Sequence, residues 1–325
     1  MELTRLGRTE AEKKDPLAAQ ERCEAALKRC VLCGRRCGID RRTGSRGPCG
    51  GGIEPRVAKW LAHMGEEPPL SGIRGSGTIF FSGCSLRCLF CQNYEISQKR
   101  WGREVSVERL AGIMLELEAS GCHNVNLVSP THYAPQVAVA LEKARLQGLT
   151  IPVVYNSHGY DSPEALALME GKVDIYLPDM KYASDSTAEE LSGAQEYVER
   201  NREALTAMFS QVGFLDEDPE SGLARKGMLV RILVLPGGLA GVKESLTWLA
   251  ETFSPAIAVS LMAQYAPLHF ALGRPPLDRR LLRSEYEEAV ETAEALGFEN
   301  LWVQDLASSE VGIPDFLAER PFRFD

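Results

Sequence analysis

From Gly77 to residue 296 the chain alternates six short apolar runs with six amphipathic segments, and this alternation limits its fold more than any other feature. The runs are TIFFSG (78–83), NVNLVSP (124–130), IPVVYN (151–156), VDIYLPD (173–179), MLVRILVLPG (228–237) and AIAVSLM (256–262). They are rich in β-branched residues and too short for helices. Segments 106–120, 134–147, 162–170, 187–212, 240–252 and 284–296 carry apolar residues at helical spacing. Nearly continuous apolar strands with helices between them imply a parallel sheet buried on both faces. A parallel α/β barrel fits this pattern. A doubly wound sheet is the alternative built from the same elements.

The 325 residues leave room for one barrel-sized domain and an extension. Residues 1–56 are read as an N-terminal helix, from about Pro16 to Leu27, followed by a turn-rich four-cysteine segment with no apolar core of its own. Residues 57–76 are read as a connection, 77–305 as the barrel and 306–325 as a C-terminal tail. The 36 basic and 45 acidic residues give a net charge of −9, against wholesale binding to nucleic acid or anionic membrane. The opening MELTRLGRTEAEKKD has no apolar stretch of the secretory kind, and no run reaches membrane-spanning length. A soluble cytoplasmic protein is therefore expected. In that compartment its nine cysteines stay reduced, so clustered thiols are read as metal ligands. Neither a GxGxxG nor a P-loop pattern occurs.

Polar residues follow the strands directly: Cys84, then Ser129 to His132, Asn156 to His158, Asp179 to Lys181, and Gln264 with Tyr265. In a parallel barrel this edge is where sites are built. The first of these segments reads SGCSLRCLFCQNYEIS, which places Cys84, Cys88 and Cys91 within eight residues just past a strand. Soft sulfur ligands at this spacing suit iron-sulfur or zinc. Three thiolates are one short of a closed site, so a four-iron cluster held by them keeps one iron open. The zinc alternative needs a distant fourth ligand such as His123, His132 or Cys122.

CSLRCLFC matches the CxxxCxφC motif of the radical S-adenosylmethionine superfamily, with Phe90 as the aromatic residue. The wider run GSGTIFFSGCSLRCLFCQNYEIS, with SPTHYAPQ, VVYNSHGYD, VDIYLPDMKY, LVRILVLPGG and LMAQYAP after it, resembles the branch related to pyruvate formate-lyase activating enzyme. The resemblance covers most of residues 75–267. It implies a partial (β/α)6 TIM-like barrel with a small N-terminal metal-binding extension, a [4Fe-4S] cluster on Cys84, Cys88 and Cys91, and S-adenosylmethionine as cofactor. It implies reductive cleavage to a 5′-deoxyadenosyl radical, hydrogen abstraction from a substrate, and a one-electron donor such as a flavodoxin or ferredoxin. By position it implies cofactor contacts from Phe90, Ser129, Thr131, Asn156, Ser157, Asp179, Lys181 and Arg231, with Gln264 and Tyr265 on the substrate side. Relatives carry a glycine-rich turn where this chain has Ser129-Pro130-Thr131. The competing readings are a helix N-cap at Ser129 or Thr131, a mutual Asp179–Lys181 pair, and Tyr265 as a cap on the barrel core. Many relatives have histidine where Ile232 stands. Arg231 lies inside an apolar strand, so its charge must be paired or face a cavity.

Cys30, Cys33, Cys37 and Cys49 form a second, closed set of four soft ligands, read as zinc or an auxiliary iron-sulfur cluster. Seven basic residues from Lys28 to Arg46 face only Asp40 in that stretch. They are a solvated face, or a grip on RNA or an acidic partner. Cys23 and Cys122 read as small core residues. The leading function is an enzyme that generates a 5′-deoxyadenosyl radical and abstracts hydrogen from a substrate the sequence does not name, with activation of a glycyl radical enzyme as the form the resemblance suggests. Radical modification of a peptide, RNA or small metabolite is the alternative, and a non-catalytic metal-binding or electron-transfer protein is the reading from another class.

Overall fold

The computed structural model describes residues 16–308, 313–319 and 321–322. Its strands are β1 (Arg56–His63), β2 (Ser76–Phe81), β3 (Arg103–Glu104), β4 (Val125–Val128), β5 (Val153–Ser157), β6 (Ile175–Pro178), β7 (Asp216–Glu217), β8 (Ala224–Leu233), β9 (Ala258–Met262) and β10 (Leu301–Val303). Its helices are α1 (Pro16–Lys28), α2 (Pro68–Ser71), α3 (Tyr94–Ser97), α4 (Val107–Ala119), α5 (Ala134–Leu146), α6 (Pro163–Met169), α7 (Asp185–Ser192), α8 (Tyr197–Val212), α9 (Val242–Phe253) and α10 (Arg283–Ala295).

The sheet order is β10-β9-β8-β6-β5-β4-β2-β1-β3, with β7 on β8. The pairs from β2 through β10 along that order are parallel, whereas β1 is antiparallel to both β2 and β3. The fold is a partial (β/α)6 TIM-like barrel whose six expected strands are β2, β4, β5, β6, β8 and β9, and β10 adds a seventh parallel strand. Residues of β2, β4, β5, β6 and β9 are buried throughout, as a parallel sheet covered on both faces requires.

Two expectations change. The stretch read as a connection, 57–76, supplies β1 and α2. β1 was hidden because most of its residues are only half-buried, so its pattern lacks an apolar run. The periodic segment 187–212 is two helices, because Gly193 ends α7 in the left-handed conformation (φ 59°) that glycine adopts at helix ends.

Side chains alternate across each strand, so the residues two positions below those lining the barrel mouth also point inward. Val154, Leu177, Leu229 and Ala258 lie in this way below Asn156, Asp179, Arg231 and Ser260. Leu70 of α2, 0% exposed, packs into that lower layer. The outward faces of the same strands, with Tyr155, Tyr176, Val230 and Leu261, join the main core under the helices.

Candidate active site and metal ligands

Past β2 the chain bends at Gly83 (φ 88°), where any side chain would strike the Cys49 carbonyl. Only glycine meets both demands. Cys84, Cys88 and Cys91 follow, and all three border a cavity of about 530 Å3 at the strand ends, within the usual size of small-molecule sites. Cys88 Sγ accepts from Ser192 Oγ at 3.0 Å, and Cys91 Sγ lies 3.2 Å from Ser97 Oγ. The Leu86 and Asn93 amides point at the Cys84 and Cys91 sulfurs. Burial, and then the neighbouring sulfurs, push the Cys84 thiol well up, and burial lifts Cys91 to about 11. Thiols so placed ionise when a metal takes the proton's place. Among the described residues, no three His, Cys, Asp or Glu side chains converge as a single metal ion requires. A cubane does not require it, since it spreads its ligands over separate irons.

His123, His132 and Cys122, the fourth ligands that the zinc alternative needed, all stand away from the cavity. His123 pairs with Arg74, His132 Nε2 bonds the Ser82 carbonyl at 3.0 Å, and Cys122 is buried beside Ser120. Cys23 is likewise a buried core residue that contacts the Pro135 carbonyl.

Of the residues expected to meet the cofactor, Phe90, Ser129, Asn156, Ser157, Asp179, Lys181 and Arg231 border the same cavity, as do Gln264 and Tyr265. Ser129 holds a positive φ of 57°, a strained conformation that recurs at functional sites. Neither Ser129 nor Thr131 caps a helix with its side chain. Asp179 and Lys181 do form a pair, 2.6 Å apart. Burial opposes the lysine charge, but Asp179 and then the Cys88 sulfur outweigh it and hold Lys181 charged.

Three expected contacts are used differently. Thr131 is absent from the cavity lining; it is fully buried near Asp161 and Tyr155, and its hydroxyl has no hydrogen-bond partner. Ser157 donates to Asp161, which also accepts from Tyr155 at 2.9 Å. Arg231 is held by two carboxylates. Its Nε donates to Glu67 at 2.8 Å and its Nη2 to Glu66 and Glu67, while Glu66 accepts from Asn126 at 2.9 Å. The charge in an apolar strand is thus paired and cavity-facing at once. Tyr265 donates to the Leu277 carbonyl at 2.6 Å and sets its ring edge-on to Phe90, 5.6 Å away, so it supports the aromatic wall.

Sequence reasoning missed Glu66, Glu67, Ser192 and Ser97, and it placed His158 at the strand ends without giving it a role. The Glu pair had a signal, because a buried arginine implies acidic partners somewhere. Ser192 had none, being 104 positions from Cys88. His158 bonds Ser85 at 2.8 Å, and burial pushes its pKa down to about 3, which keeps the ring neutral.

The four-cysteine segment packs on the same edge. Cys33 bridges Asp161, Arg35 donates to the Ser85 carbonyl, Arg36 pairs with Glu164 and Arg46 with Glu104 at 2.6 Å. Arg42 pairs with Asp40 and Arg41 is buried. Five of the seven basic residues from Lys28 to Arg46 are therefore bound to this chain's own groups.

The Radical SAM superfamily profile matches residues 78–213, the part of the chain that carries the three cysteines and the Asp179–Lys181 pair. Uncharacterized protein MJ0674 of Methanocaldococcus jannaschii is 32% identical over 281 residues, covering 82% of this chain and 75% of that protein. Among solved structures, Streptococcus suis SuiB bound to S-adenosylmethionine is similar at a TM-score of 0.47 and 12% identity over 70% of this chain, which spans about half (49%) of that protein's length. HydG, a maturase of the [FeFe]-hydrogenase, is similar at a TM-score of 0.46 and 12% identity, over 73% of this chain and 58% of that one. With its cysteine motif at the end of the first barrel strand, the matched profile and a relative aligned along most of both chains, the protein belongs to the radical S-adenosylmethionine superfamily.

Proposed function

We propose that Cys84, Cys88 and Cys91 hold a [4Fe-4S] cluster, that S-adenosylmethionine fills the adjoining cavity, and that the enzyme abstracts hydrogen from a substrate entering beside Gln264. The observation that carries this reading is the meeting of three sulfurs and the Asp179–Lys181 pair around one cavity. When bound, the cluster and its cofactor supply one-electron cleavage of a carbon–sulfur bond and a 5′-deoxyadenosyl radical. The protein's own part is to hold, orient and shield. Lys181 faces the cofactor carboxylate, Asp179 and Asn156 accept from and donate to ribose hydroxyls, and the Ser129 turn offers carbonyls to the ammonium group. Phe90 walls the site, and Ser157 and Tyr155 steady it through Asp161.

The chemistry calls for a one-electron donor, for which a flavodoxin or ferredoxin has the right class of centre. The resemblance to the pyruvate formate-lyase activating branch names a glycyl residue of a partner protein as the first substrate to try. Cys30, Cys33, Cys37 and Cys49 are read as a second metal centre, zinc or iron-sulfur. Clustered free thiols suit the cytoplasm, and no helix among the described residues is long and apolar enough to cross a membrane.

The test is anaerobic reconstitution with iron and sulfide, then reduction in the presence of S-adenosylmethionine. The expected products are 5′-deoxyadenosine and methionine in equal amounts, falling to background in Cys84→Ala. A reducible cluster that yields neither product sinks the enzyme reading in favour of electron transfer. A glycyl radical doublet in electron paramagnetic resonance, on adding a partner, identifies the activase reaction.

A further inference from the structure

Arg41 is 1% exposed, and its guanidinium is buried among groups that include no carboxylate within ion-pair reach among the described residues. Nη1 donates to the His132 carbonyl. Nη2 sits 2.9 Å from Cys30 Sγ and 3.8 Å from Cys49 Sγ, and Nε is buried without a hydrogen-bond partner. Guanidinium stays charged in proteins, and a buried charge needs an opposite one beside it. Neutral thiols do not supply that charge; thiolates do.

Three further features point the same way. The Gly51 amide donates to Cys49 Sγ at 3.4 Å, the kind of bond that stabilises sulfur when it carries negative charge. Cys30, Cys33 and Cys49 are buried, so bare thiolates there need a cation of their own. Cys37 Sγ lies 3.9 Å from the Cys30 carbonyl, and Arg41 Nη2 lies within 3.8 Å of both the Cys30 and the Cys49 sulfur, so these three cysteines gather at one place. A [4Fe-4S]2+ core held by four thiolates carries a net charge of about −2, which leaves a place for one buried cation, and it spreads its ligands over separate irons, as sulfurs that do not converge on a single ion require.

We propose that Cys30, Cys33, Cys37 and Cys49 bind metal in a doubly negative tetrathiolate centre whose built-in counter-charge is Arg41. This rests on reading the set as a metal centre. Arg41 also ties that centre to the radical site's scaffold. It reaches the turn of His132, while the Cys49 carbonyl abuts Gly83, the residue before Cys84. The second centre thus braces the loop that begins the first one.

The experiment uses the full chain with Cys84, Cys88 and Cys91 all replaced by alanine, so that bound metal reports on the second set alone. The protein is purified anaerobically, reconstituted in parallel with zinc or with iron and sulfide, and analysed for metal. One zinc per chain, or iron with matching acid-labile sulfide, supports the centre and distinguishes its two forms; no stoichiometric metal from either arm overturns it. In the same background, Arg41→Met is expected to release its metal to a chelator at least tenfold faster than the parent, with Arg41→Lys recovering part of the difference. Equal release from Arg41→Met and the parent removes Arg41 from the centre. Since the Met and Lys variants lose the same planar contacts and differ in charge, their comparison reads the electrostatic part even if both are less stable than the parent. Failure of S-adenosylmethionine cleavage in the unmodified chain leaves these outcomes untouched.

Discussion

At the scale of single residues, Arg231 shows how a charge is kept inside an apolar strand. Both Glu66 and Glu67 reach it from the segment after β1, and the three side chains are nearly buried. Burial alone would raise the Glu67 carboxyl, but the Arg231 guanidinium overrides it and holds the carboxyl below its ordinary value of 4.5. A folded value below the unfolded one means stability that is complete above pH 4.5 and is lost as pH falls through the folded value. Glu67→Gln is expected to cost about 3 kcal/mol at pH 7, the lower end for breaking a buried pair because Glu66 remains. Arg231→Met is expected to cost about 5 kcal/mol, since it leaves two carboxylates facing each other without a cation. Urea titrations at pH 7 measure both, and repeating them below pH 4.5 should shrink the Glu67→Gln difference. If Glu67→Gln matches the parent at pH 7, the pair is not a source of stability.

At the scale of elements, β1 and α2 deliver residues that the barrel uses from inside. β1 runs antiparallel to β2, and the turn after it brings Glu66 and Glu67 to Arg231 and Leu70 to the layer beneath. α2 has only four residues, so its packing, more than its own helical bonds, holds it in place. Leu70→Ala is expected to destabilise the protein by about 3 kcal/mol, because the surrounding strands cannot collapse into the space. The parent and variant unfolding midpoints in denaturant measure this. A change under about 1 kcal/mol would mean that the layer closes without Leu70. The same segment explains a limit of sequence reading: MGEEPPLSG has the composition of a loop, and nothing local reveals that its acids and leucine point into a barrel.

At the scale of the whole molecule, the sheet order ends in β10 on one side and β3 on the other. Trp302 and Val303 of β10 and His63 of β1 border the same cavity from these two sides. Two described residues of the C-terminal segment pack against β1 and β2. Phe316 is 1% exposed and packs edge-on to Phe80 at 5.2 Å, while the Phe322 ring lies 4.2 Å from His63 and 5.5 Å from Phe80. Phe322 borders the cavity and is thus part of the wall that shields the site, with Phe316 packed against it, their ring centres 6.1 Å apart. Phe316→Ala is expected to cost about 3 kcal/mol and to speed the bleaching of iron-sulfur absorbance in air, because the wall loosens on its cavity side. Bleaching at the parent's rate, with the stability loss present, would show that the tail stabilises without shielding.

The sequence by itself determined the six strand-helix units, the placing of Cys84, Cys88 and Cys91 past the first barrel strand, and the polar residues at the other strand ends. These are local properties, since periodicity of 2 or 3.6 and the spacing of cysteines act within a few residues. Only the tertiary structure decided which of those polar groups reach the cavity. Ser129, Asn156 and Ser157 border it, Ser157 while bonded to Asp161, whereas Thr131 is buried outside it. It also decided that Arg231 meets a residue 164 positions away and that Arg41 is wedged between two sulfurs and a carbonyl 91 positions on. The reason is that a buried charge has no local preference for its partner. It takes the one that assembly of the strands brings within reach, and burial then makes that choice costly to undo.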